Sequence, residues 1–135
     1  MSNKPKFRDQ LINETLQRMH AVVPGIKASV VVNRDGLLVA AMPPGDDDDP
    51  LANPTSSPQV AAMSATLIGL AERTLGRLEQ GTLERLLMEG EEGTMVVYPA
   101  GRATLAILVG KDQKIGPVLY VAARSAKDIA EVLAG

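Results

Sequence analysis

Cysteine and tryptophan are absent from this chain of 135 residues, and it holds one histidine, one phenylalanine and two tyrosines. Without cysteine there is no disulfide framework, no thiolate metal site and no sulfur nucleophile. The lone histidine, His20, cannot build a multi-histidine metal centre, and nothing nearby suggests a partner for a histidine relay; it reads as a surface residue near a helix end. Phe7, Tyr98 and Tyr120 are too few for a base-stacking surface or an aromatic ligand cage. A net charge of −2 gives no nucleic-acid footprint, and Lys4, Lys6 and Arg8 read as a solvated helix start. No apolar run approaches the roughly 18 residues of a membrane span, and the polar start MSNKPKFRDQL lacks the core of a secretory signal. The expectation is one cytoplasmic domain, 1–135, with no membrane or nucleic-acid partner.

Apolar periodicity organises the chain. Ile12, Leu16, Met19 and Val23 recur at helical spacing, which predicts a helix over Lys6–Val22 that ends at Pro24-Gly25. Ala28–Asn33 (ASVVVN) and Leu37–Met42 (LLVAAM) are short β-type runs, and Asp35-Gly36 between them is a strong hairpin signal. Pro43–Pro58 carries five prolines and four consecutive aspartates and reads as an exposed acidic loop. At its end Ser57 can cap a helix whose first turn takes Pro58. That helix is predicted to run to about Glu79 and to stop at Gly81. Thr82–Glu89, Thr94–Tyr98 and Ala103–Val109 are strand candidates, with turns at Gly90–Gly93 and Pro99–Gly101. A last helix begins at Gly116-Pro117, with Val118, Ala122, Ser125, Ile129 and Val132 on its buried stripe. The order is α-β-β-α-β-β-β-α.

The middle helix is apolar on too many sides. Val60, Met63, Leu67, Leu70 and Leu78 form one stripe, and the small residues Ala62, Ala65, Gly69 and Gly76 form another. A helix on one core needs a single stripe of roughly 100°, so two stripes imply two neighbours. The strands VVV, LLVAA, MVV and LAILV are apolar on successive residues, which means both sheet faces are covered. Five strands span roughly 20 Å, whereas a helix is about 10 Å wide. Three helices cannot hide both faces, and a bare apolar strip beside the middle helix is expected. The economical cover is a second copy. The expected dimer interface is Ala62, Ala65, Gly69 and Gly76, with Leu83, Leu86 and Met88 at a joined strand edge.

Catalytic signatures are missing. Asp46–Asp49 lack the alternation and glycine of a calcium loop. Gly90, Gly93, Gly101 and Gly110 form no phosphate cradle, because no GxxxxGK[ST] run exists. Arg34, Arg73, Arg77 and Arg102 could each act as an arginine finger in trans but read as ordinary surface arginines. No metal and no cofactor is expected.

VVNRDGLLVAA, the small-residue-rich central helix, and GTMVVYPAGRATLAILV leading into a final helix resemble the roadblock family, over about Lys6–Leu133. That resemblance implies an α/β (α+β) fold of roadblock/profilin type. Its antiparallel five-stranded sheet carries both terminal helices on one face and the middle helix on the other. It implies dimers joined through sheet edges and middle helices, and a non-enzymatic role in binding a small Ras-like GTPase, as in bacterial gliding motility, or in scaffolding, as in dynein and lysosomal signalling complexes. The long acidic loop departs from many members. The GTPase surface would include Glu72, Arg73 and Arg77. The alternatives are a passive assembly subunit without nucleotide-state preference and a small-ligand sensor.

Overall fold

A computed structural model describes residues 7–45, 48 and 53–134. The elements are α1 (Arg8–Val22), β1 (Ile26–Asn33), β2 (Leu38–Met42), a 3-10 turn (Pro54–Ser56), α2 (Pro58–Arg77), β3 (Leu86–Glu89), β4 (Gly93–Ala100), β5 (Ala103–Gly110) and α3 (Ile115–Ala134). The strands form one antiparallel sheet in the order β2-β1-β5-β4-β3, so β2 and β3 are its edges.

The sheet separates two cores. On one face Ile12, Leu16 and Met19 of α1 and Val118, Ala122 and Ile129 of α3 pack on Val31, Val96, Leu105 and Ile107. On the other, Ala61 and Ile68 of α2 pack on Val30, Val32, Val97 and Ala106. Residues one apart on a strand face opposite ways. That is why Val30, Val31 and Val32 are all fully buried although they serve different cores.

Local chemistry sets the turns. Asn33 Oδ1 accepts from the N–H groups of Asp35 (2.9 Å) and Leu37 (3.0 Å), and Gly36 takes φ +82°. A Cβ on Gly36 would stand 3.0 Å from Cα of Ala62, so this hairpin leans on α2. Ser57 Oγ accepts from the Val60 N–H at 3.1 Å, with Pro58 in the first turn. At the far end the Gln80 N–H donates to the Leu75 carbonyl (2.9 Å) and the Glu79 N–H to that of Gly76 (3.1 Å). These are the bonds of a Schellman cap, here with Glu79 rather than glycine in the left-handed position, φ +57°.

Three boundaries differ from expectation. α2 ends at Arg77 because this cap forms two residues before Gly81. Only Leu86–Glu89 of the expected Thr82–Glu89 strand pairs, because β4 supplies partners for those four residues alone. Pro99 and Ala100 continue β4, and the turn is Gly101-Arg102, where Gly101 has φ +67°. Lys4, Lys6, Asp46, Asp47 and Asp49 lie outside the described residues, and Asp48 is exposed.

Candidate partner-binding face around the middle helix

The α2 stripe turned toward the sheet is Ala61, Ser64 and Ile68, continued by half-buried Ala65, Ala71 and Leu75. Ala61 and Ser64 are each 1% exposed. Small residues there let the helix come close to its own sheet, and Ser64 satisfies its hydroxyl by donating to the Val60 carbonyl (2.9 Å).

The large apolar stripe faces outward instead. Met63 is 60% exposed, Leu70 48% and Leu78 60%, with half-buried Val60 and Leu67 beside them. At about 100° per residue, Ala62, Ala65, Gly69 and Gly76 lie on a flank roughly 140° from that stripe. The small-residue flank and the large apolar stripe thus lie on opposite sides of the helix's solvent face, and a Cβ at Gly76 would meet nothing within 4 Å. Ala65 and Gly69 line a groove with Arg34, Glu72, Pro99 and Thr104, while Ala62 and Gly76 are exposed on the same flank. Leu83 is 7% exposed and belongs to the chain's own α2-side core; burial removes it from any free edge. Leu86 and Met88 are half-buried against that core on edge strand β3, and Met95 beside them is likewise only partly covered. The strip of sheet that one helix cannot hide lies there.

Glu72, Arg73 and Arg77 are exposed, and none forms an ion pair among the described residues. Arg73 and Arg77 border the outward stripe, whereas Glu72 lies on the groove side. Exposed Arg34 and Arg102 are brought to no shared centre. His20 is not a surface residue: it is half-buried and shares a 2.8 Å hydrogen bond with fully buried Ser29. Burial lowers its pKa. Tyr98 donates its hydroxyl to the Leu119 carbonyl (3.1 Å), and burial raises its pKa. Among the described residues no cluster of acidic or histidine side chains could hold a metal ion, and no helix is long and apolar enough to cross a membrane.

The sequence did carry a signal for the outward stripe. Ile68 and Leu75 lie seven residues apart and share the buried side with Ala61 and Ser64, leaving Met63 and Leu70 on the other.

A five-stranded antiparallel sheet covered by paired terminal helices on one face and one helix on the other defines a roadblock/profilin-like domain. A model of the Roadblock/LC7 domain matches residues 11–109, and the chain belongs to that family. Two uncharacterized proteins of Methanocaldococcus jannaschii are each 36% identical over 105 residues, 78% of this chain and 85% of theirs. Among solved structures, the gliding protein MglB of Thermus thermophilus superposes with a TM-score of 0.75 at 16% identity, covering 96% of this chain and 93% of that one. Myxococcus xanthus MglB gives 0.78 at 13% identity, with 97% and 93% covered.

Proposed function

We propose that this chain is a homodimeric, non-enzymatic regulator that binds a small Ras-like GTPase. The second copy packs its outward α2 stripe, Met63, Leu70 and Leu78, against the same stripe of the first. The β3 strands approach across the same two-fold axis, which covers Leu86 and Met88. The observation that carries this is the exposed apolar stripe of α2, together with an edge strand, β3, whose Leu86 and Met88 stay only half-buried on the α2-side core. Contiguous apolar surface of that kind marks association sites, and an unpaired strand edge is a template for pairing. The family membership agrees with it.

The paired helices then present Arg73 and Arg77 in duplicate, with Glu72 alongside, to the GTPase. Regulation follows only if these surfaces hold the hydrolysis-competent conformer more tightly than the other, since equal affinity shifts nothing. Pull-down with the small GTPases of the same cell, loaded with GDP or with a GTP analogue, tests it. Preference for one nucleotide state is expected. Equal capture in both states leaves a passive assembly subunit, and capture in neither removes the GTPase reading.

A further inference from the structure

The sheet's opposite face carries a second unfilled feature, independent of α2: a groove between α1 and α3. Its floor is closed, with Met19 1% and Val121 9% exposed, so no further packing is needed to complete the fold. Yet two apolar side chains stand over it in solvent, Val22 at 67% and Tyr120 at 69%. Tyr120 is one of only three phenylalanine or tyrosine residues in the chain. Tyrosine is a favoured contact residue for protein partners, because it offers a large apolar ring with a polar tip.

The polar groups select the partner's charge. Arg18 from α1 and Arg124 from α3 line the same groove, and neither forms an ion pair among the described residues. The Arg18 guanidinium donates only to Thr15 Oγ1, at 3.3 Å. Guanidinium groups beside an apolar floor favour carboxylates, which they bind bidentately. Ser125, 5% exposed, lines the same groove. Asp128, one turn beyond Arg124, is also without an ion pair among the described residues.

We propose that the α1/α3 groove is a docking site for an acidic amphipathic helix of a partner protein. Tyr120, Arg124 and Asp128 recur every four residues and extend about 12 Å along α3, roughly two turns of a bound helix. The matching segment carries an apolar residue against Val22 and Tyr120. A carboxylate one turn on meets Arg124 and Arg18, and a basic residue one turn further meets Asp128. An anionic membrane is the poorer occupant, because the site is concave and Asp128 repels an anionic sheet.

The probe is a helical peptide of about 20 residues with leucine, glutamate and lysine at i, i+4 and i+8, carrying one tryptophan. The chain has no tryptophan, so the peptide's fluorescence reports binding directly. Its counterpart has lysine in place of glutamate. The acidic peptide should bind the whole chain and shift the amide resonances of Val22, Tyr120 and Ser125. Arg18→Glu with Arg124→Glu, both exposed positions, should weaken it at least tenfold without loss of helicity, and the double variant should take up the basic peptide instead. The proposal is overturned by failure of the acidic peptide to bind or by equal binding of both peptides. Resonance shifts confined to α2, insensitivity to the charge reversal, or binding to anionic phosphatidylserine vesicles in place of the peptide would also overturn it.

Discussion

Leu70→Glu tests which face of α2 is the seam. Leu70 is 48% exposed, so its own fold covers about half of it. Full burial of a leucine is worth about 1.5–3 kcal/mol, which leaves about 0.7–1.5 kcal/mol for a partner to add. A two-fold axis uses the residue twice, so truncation to alanine costs the dimer about 1.5–3 kcal/mol, roughly 10- to 150-fold in Kd. Glutamate adds the cost of drying two carboxylates and should raise Kd by at least about a hundredfold. In the single chain the change is small, within about 1 kcal/mol, because the site is half in water and both residues are good helix formers. Sedimentation velocity over a dilution series, with circular dichroism as the check on folding, separates the two effects. The contrast is Gly69→Leu. The nearest atom to a Cβ there, beyond its own chain neighbours and helix backbone, is Arg73 Nη1 at 3.8 Å, and the position faces the groove. If Gly69→Leu abolishes the dimer and Leu70→Glu leaves it unchanged, the small stripe is the seam and the outward stripe is not. A wild-type chain that stays monomeric at micromolar concentration refutes both.

Asn53→Ala should destabilise the fold by about 2–4 kcal/mol, read from urea denaturation. Asn53 is 2% exposed, donates to the carbonyls of Pro43 (2.7 Å) and Ser29 (3.3 Å), and accepts from the Thr55 N–H (3.0 Å) and hydroxyl; a loss below about 0.5 kcal/mol would contradict that network. His20 should make stability fall as pH drops. Burial holds its pKa below the ordinary 6.5, so the unfolded chain binds more protons in that window, and the contribution is complete above 6.5 and lost as pH falls toward the folded value. Urea midpoints between about pH 7.5 and 5.5 should show less decline in His20→Gln than in the parent; equal decline would remove the assignment.

Where one residue's chemistry decides a turn, the sequence was readable. Ser57-Pro58, Asp35-Gly36 and the α1 stripe each specify their local structure, and each stands where it was expected. The end of α2 was not legible, because Glu79 occupies a left-handed position that sequence rules reserve for glycine. The 3-10 turn and the Asn53 network were missed because they depend on carbonyls of Ser29 and Pro43, 24 and 10 residues away, which no local pattern shows. The direction of the α2 stripes was ambiguous in principle. Small residues permit close approach to any neighbour, and only the sheet's position shows that Ala61 and Ser64 use that closeness on the chain's own strands.

The same ambiguity explains why the two faces of this domain invite different partners. On the α2 side a single helix spans a five-stranded sheet, and what remains uncovered is apolar: Met63, Leu70, Leu78 and the half-covered Leu86, Met88 and Met95. Such a surface suits the proposed pairing with a second copy, since apolar contact needs no complementary charge. On the other side two helices cover the core, and what remains is a groove lined by Arg18 and Arg124, neither in an ion pair among the described residues. Its charged groups, Arg18, Arg124 and Asp128, ask for a partner of matching charge pattern. On the two proposals made above, self-association uses the α2 face and an acidic partner the α1/α3 face. The sheet lies between the two faces, so the proposals predict that the acidic peptide binds the dimer and the monomer alike.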